Sequence, residues 1–284
     1  MMEDIRSNRK LWAAGALVLV VVLVLVVWLA RGASDGEASS ESSVSAANDA
    51  SSDLGVVAGA GGSRVADDGV TGLGYENTCK GAVEAATSYA KVLSTRSLDL
   101  PQGTDKTIDE ITVDSDYAKA RKDYTSMQEV RQSVSSKELK ELTGKNSETF
   151  HPNWSGKYLV RDCQPEQNAK ISVAGVSHIQ DSTGWTAPDS YSYYAVTYDM
   201  VWVDNDWKIQ KAYEPGTDVK EPILTENLPK PEKADTTVVT WSKDHFETKT
   251  EQQERVVMDS AAFEKAFEGV EPDITRWYNF SEAN

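Results

Sequence analysis

The sequence predicts an α+β protein in which helices precede a bent antiparallel sheet, carried behind one apolar N-terminal helix. Three observations lead there. Residues Leu11 to Ala30 form an uncharged run of twenty residues. Apolar residues recur at a helical period from Cys79 to about Val134. After Pro152 the period becomes two, most strictly from Ser190 to Val203.

At about 1.5 Å per residue, the run Leu11–Ala30 spans about 30 Å, the thickness of a bilayer's hydrocarbon core. Trp12 and Trp28 stand near its ends, where indole rings favour the headgroup layer. Arg6, Arg9 and Lys10 precede it and Arg31 alone closely follows. The positive-inside bias therefore places residues 1–10 in the cytoplasm and the rest of the chain outside. A cleaved signal peptide is the main rival. Its apolar core would be about 7 to 15 residues before a small-x-small site, which Ala30-Arg31-Gly32 matches only loosely. The length and uniformity of the run favour a retained anchor.

Residues 31–74 are rich in Ser, Ala, Gly and Asp, without an aromatic residue or a hydrophobic period, and read as a flexible linker. Gly59-Ala60-Gly61-Gly62 has no preceding strand or following helix and is not a phosphate loop. The body, 75–214, opens with a helix in which Val83, Ala86, Ala90 and Leu93 form one stripe, capped by Asn77 or Thr78 and ended by Pro101 and Gly103. A second helix covers about Ser115 to Val134, with Tyr117, Ala120, Tyr124, Met127 and Val130 along one side. A third begins at the capping-box pair Ser135 and Glu138 and stops at Gly144.

Lys157–Cys163 and Ala169–Ile179 read as strands, and a slip of apolar parity between Val173 and Val176 suggests a bulge at Ala174-Gly175. In Ser190–Val203, the residues Tyr194, Val196, Tyr198, Met200 and Trp202 alternate strictly and should face the first helix. Asp204-Asn205-Asp206 makes a tight turn, and Trp207, Ile209 and Tyr213 return. The extension, 215–284, reads as a connection to about Asp235, a strand Thr236–Phe246 and a helix Glu251–Gly269. Trp241, Phe263, Phe267 and Trp277 are the natural cover for the second face of the sheet.

A formal net charge of −16 repels nucleic acid phosphates, so no nucleic acid partner is expected. The two cysteines, Cys79 and Cys163, lie outside the membrane on this topology and are expected to form a disulfide. In the chain-entropy model such a bridge adds at most about 4.5 kcal/mol. The rival, a catalytic Cys paired with His151, His178 or His245, lacks any nucleophile signature. No H-E-x-x-H, paired C-x-x-C, Walker A or G-x-S-x-G pattern occurs, so no catalytic, cofactor or metal residue is assigned and the chain is read as a non-enzyme. Asp204-Asn205-Asp206 imitates a calcium loop but has Ile209 and Pro215 where that loop needs Gly and Glu. An acid or base inside an apolar cavity would have to come from Asp199 or His178. A module whose sheet holds a small apolar ligand is the other alternative.

Helices first and a bent sheet after is also the order of an NTF2-like cone. The run from Tyr198 to Ile209 (YDMVWVDNDWKI) resembles the W-x-D-G-D-W-K hairpin of certain actinobacterial membrane-anchored proteins, with Asn205 at the usual Gly. In those proteins a Cys stands just before an Ala-rich helix, as Cys79 precedes Gly81-Ala82-Val83-Glu84-Ala85-Ala86 here. The resemblance covers about Thr78 to Tyr213. It implies an extracytoplasmic NTF2-like domain on one membrane helix, similar in layout to the VirB8-like and TcpC-like components of Gram-positive conjugation systems. It further implies an accessory or scaffold subunit of a transfer or secretion complex, whose partners are the membrane, other envelope proteins and copies of itself.

Overall fold

Two fourteen-residue strands, β6 (Asn168–Asp181) and β7 (Ser190–Val203), pair antiparallel along most of their length and carry apolar residues on both faces. They form the axis of a seven-stranded sheet in the computed structural model. Described here are residues 53–143, 146–181, 190–213, 228, 230–242, 245–266 and 276–281, all within the unit Val44–Asn284. The expected membrane helix from Leu11 to Ala30 lies outside them. Among the described residues no helix is long and apolar enough to cross a membrane.

Beyond β7, β8 (Asp206–Tyr213) closes the hairpin, with Asp204 and Asn205 both left-handed as the tight turn requires. On the other side, β6 is shared. β5 (Lys157–Gln164) pairs with its first half and β4 (Asn146–His151) with its second. Short strands β3 (Arg96–Ser97) and β11 (Tyr278–Asn279) extend β4 and β5. The handover occurs at Gly175, where a Cβ would stand 2.7 Å from the His151 carbonyl oxygen. The expected bulge at Ala174-Gly175 is absent, and the β6–β7 register runs straight through it. The parity slip has another cause: Val173 faces one core and Val176 the other, because β6 is buried on both sides.

Helix α1 (Cys79–Ser94) crosses the first face. Thr78 caps it by accepting from Gly81 N at 3.0 Å. Val83, Ala86, Ala90 and Leu93 are all buried and share one core with Ile171, Val173, Val196, Tyr198 and Met200, as the sequence predicts. Pro101 and Gly103 do not end this helix, which stops at Ser94; Gly103, at φ 90°, instead opens α2 (Thr104–Ile111), too short for a visible period. The single helix expected over Ser115–Val134 is two, α3 (Ser115–Thr125) and α4 (Gln128–Ser133), broken at left-handed Met127. Its buried residues are Ala118, Arg121 and Thr125, while Ala120 is exposed. The capping box of Ser135 and Glu138 opens α5 (Ser136–Leu142) as expected.

Residues 53–74 correct the linker expectation. They form a packed arm containing the small hairpin β1 (Arg64–Val65) and β2 (Gly72–Leu73). The arm has too few apolar residues for a core of its own, but Val56, Ala66 and Leu73 join the core around α1. Its backbone is satisfied as well: Tyr158 Oη accepts from Leu54 N, and Asp68 accepts from Val70 N and Thr71 N.

The second face is covered from the far end of the chain. Leu159, Ala174, Val176, Tyr193 and Ala195 pack with Trp154, Val256, Phe263 and Trp277. Phe263 and Trp277 thus act as expected. Phe267 lies outside the described residues, and Trp241 is elsewhere, beside Gly72. The expected helix over Glu251–Gly269 is largely wrong. β9 (Glu232–Ser242) and β10 (His245–Arg255) form a separate two-stranded ribbon, and the helix is only α6 (Ser260–Ala266). Strand β10 is polar on both faces, so no alternation marks it.

Candidate functional site

Cys79, the first residue of α1, is bonded to Cys163 near the end of β5, with Cα atoms 5.8 Å apart. The bridge joins the helix to its sheet where the arm enters. Asp206 ties the same corner. Its buried carboxylate accepts from Gly74 N at 2.6 Å, Tyr75 N at 3.1 Å and Trp207 N at 2.9 Å. Burial raises its pKa against the lowering pull of those three hydrogen bonds. Trp207 Nε1 donates to the Glu76 carbonyl at 2.8 Å, and Tyr89 Oη to the Trp207 carbonyl at 3.0 Å. The residue read from sequence as the end of a turn is a clamp on the arm.

The three histidines divide. His245 is on the exposed ribbon, 3.3 Å from Glu247. His151 and His178, far apart in sequence, come together because β4 pairs with the second half of β6. Their ring centroids are 6.5 Å apart. His151 stacks on Trp154 at 3.8 Å and 6°, and His178 on Tyr191 at 4.4 Å and 8°. Trp154 lies 6.1 Å from His178 and 6.5 Å from Tyr191, so the four rings form one continuous patch. They line an open cleft of about 760 Å³ with Gln180 and, from beside and on the ribbon, Pro231, Gln253 and Glu254.

Burial, assisted by the charges of Lys91 and His178, pushes His151 down to about 3, so its ring is neutral at physiological pH. Trp154 is 6% exposed, and its Nε1–H has no acceptor among the described residues. Leaving such a donor unsatisfied costs about 1–3 kcal/mol.

Asp199 and His178, the acid–base candidates, share a sheet face but do not meet. Asp199 opposes Lys170 and His178 opposes Tyr191, eight register steps along the same strand pair, or about 26 Å. Asp199 instead accepts from Tyr213 Oη at 2.5 Å and lies 3.4 Å from Lys170 Nζ. On the helix face, where an isomerase-type cavity would sit, Tyr89, Ala90, Leu93, Tyr158 and Tyr198 fill the space and are buried. Among the described residues no group of three or more His, Cys, Asp or Glu is placed to hold a metal ion.

The sequence shows His151 and His178 only singly, marks Asp206 as a turn residue and gives no sign of Trp154. The signal for the pair was weak: β4 (NSETFH) has no alternation. The chain matches no protein-family model and shows no significant similarity to any curated protein or any solved structure.

Proposed function

We propose that this chain is a single-pass membrane protein whose extracytoplasmic domain, of NTF2-like type, is an accessory or scaffold subunit of a conjugation- or secretion-type envelope complex. It works by protein–protein contact, through the cleft of His151, Trp154, His178 and Tyr191. The observation that carries this reading is that aromatic patch. Trp and Tyr rings beside an unsatisfied indole donor, rimmed by Gln and Glu, have the composition of an interface hot spot. Three further features support it. The apolar run Leu11–Ala30 has the length of an anchor. The Cys79–Cys163 bridge suits an oxidising compartment. The filled helix face directs recognition to the surface.

The test is photo-crosslinking in the full-length chain in its own membrane, with a photoreactive residue at Gln253 or Gln180. The expected result is one discrete adduct with an envelope protein, lost when Tyr191 is replaced by Ala in a chain that still melts normally. Adducts scattered equally over cytoplasmic proteins, or none, would sink the reading.

A further inference from the structure

One flank of α1 faces a second recess, of about 190 Å³, apart from the aromatic cleft. Its walls come from the arm, from α1, from Leu100-Pro101, from the middle of β9 and, on the sheet side, from Thr149, Pro152 and Asn153. Val92, Leu100, Pro101, Val238 and Val239 make most of it apolar, and Val70, 55% exposed, stands at its rim. Val238 and Val239 are the one adjacent apolar pair of β9 apart from the Trp241 end of the ribbon, and they are only half-buried. The protein brings them over a space that its own side chains do not fill.

Most polar groups of the wall are already engaged. Thr87 Oγ1 donates to the Val83 carbonyl, Thr95 Oγ1 to that of Lys91 and Thr104 Oγ1 to that of Pro101. Ser88 Oγ accepts from Gly72 N, and Asn153 Nδ2 donates to the Thr237 carbonyl. Two charges remain. Asp68 accepts from Val70 N, Thr71 N and Thr71 Oγ1, the last at 2.6 Å, so its carboxylate is occupied. Lys91 keeps some surface open to solvent although its neighbours crowd it, and its Nζ makes no hydrogen bond or ion pair among the described residues. The surroundings desolvate it and lower its pKa, with the Asp68 charge opposing that shift.

A mostly apolar recess whose one cation makes no direct ion pair among the described residues, while its one carboxylate is taken up by the arm's own turn, suits an apolar body carrying one negative charge. We propose that this recess binds a small monocarboxylate, its carboxylate on Lys91 Nζ and its hydrocarbon part between Val92, Leu100, Pro101 and the Val238-Val239 pair. At about 20 to 30 Å³ per group, 190 Å³ holds roughly six to ten non-hydrogen atoms, which fits a short-chain or single-ring acid and excludes a full acyl chain. Because the wall includes the arm, α1 and β9 together, such a ligand bridges the ribbon to the body. It would make the ribbon's position responsive to a metabolite, independently of any partner at the aromatic cleft.

The test uses the full-length chain in lipid nanodiscs, with 4-fluorobenzoate as the probe read by fluorine NMR and hexanoate as its competitor; empty discs are the control. Saturable binding in roughly the millimolar range is expected, with displacement by hexanoate. The neutral isostere 4-fluorobenzyl alcohol should bind at least about tenfold more weakly, since it lacks the charge-assisted contact. Lys91→Met, which keeps the side chain's bulk and removes its charge, should weaken 4-fluorobenzoate by a similar factor. If Lys91→Met melts abnormally, the acid-against-alcohol comparison on the unaltered chain decides. No saturable binding of either acid, equal binding of acid and alcohol, or undiminished binding to a normally melting Lys91→Met chain would each overturn the proposal.

Discussion

The strand pairs β6–β7 and β9–β10 have the same antiparallel ladder, yet they are held for different reasons. Through the middle of β6 and β7 every position from 171 to 177 and from 195 to 198 is buried, some toward α1 and others toward Phe263 and Trp277. In the ribbon, Thr236 is the one buried residue of β9, and β10 has none. The ribbon depends on its ladder, on the edge-on rings of Trp241 and Phe246 at 5.9 Å and on Arg255 Nη2 donating to the Asp235 carbonyl at 2.6 Å. A net backbone hydrogen bond is worth only about 1 kcal/mol, whereas burying a large apolar side chain is worth about 1.5 to 3. The body should therefore respond strongly to changes in packing, and the ribbon to very few.

The largest expected effect comes from removing residues 216–284. That uncovers Leu159, Val176, Tyr193 and Ala195 together, a loss comparable with the whole stability of a domain at about 5 to 15 kcal/mol. Such a chain should aggregate or bind a hydrophobic dye, checked by gel filtration and dye fluorescence. A soluble, monomeric 53–215 fragment with unchanged melting would erase the distinction drawn between body and ribbon. Next in size is replacement of both Cys79 and Cys163 by Ser. This should cost about 2 to 4.5 kcal/mol in urea unfolding, while amide exchange along β9 and β10 stays as it was.

A smaller effect, with a definite sign, attaches to Glu84. Burial holds its carboxyl up at about 7; Lys80 pulls it down and Glu76 pushes it up. Between about 4.5 and about 7 the folded chain therefore binds a proton at Glu84 that the unfolded chain does not. Stability contributed by this group is present at low pH and falls as pH rises through that window. Glu84→Gln should flatten the slope and raise the urea midpoint at pH 8 relative to pH 5, a comparison that needs only four denaturation curves. The smallest effect belongs to the ribbon. Lys249→Ala removes an exposed ion pair with Glu251 and should change stability by less than about 0.5 kcal/mol. A loss of several kcal/mol there would mean that the ribbon is integral to the folded unit.

What the sequence made legible follows the same division. Strand β7, its turn and the first helix could be read because their signals are local: strict alternation, two left-handed turn residues, a Thr cap. The capping box at Ser135 was equally plain. β10 was misread because His245–Arg255 buries nothing, leaving the periodic Val256, Ala261 and Phe263 to extend a helix backwards over it. The arm was misread because its few apolar residues complete another segment's core, which composition cannot reveal. The aromatic cleft needed tertiary structure, since Trp154, His178 and Tyr191 meet only after β4, β6 and β7 have paired.

The arm also determines where a mechanical load would enter. Among the described residues, tension from the N-terminal side meets first Asp53 and Leu54, held to Tyr158 Oη by a shared pair of hydrogen bonds. It then meets Val56, whose carbonyl accepts from Ser281 N, so the exit of the chain is strained with its entry. Next come the β1–β2 hairpin and the Asp206 clamp, each broken one after another instead of all at once. At Cys79 the peeling stops, because a covalent bond to β5 diverts the force into the sheet before α1 can be drawn out. The domain thus has a fixed stop behind its arm: tension can draw out residues 53–78, at the cost of the core contacts of Val56, Ala66 and Leu73, but not α1.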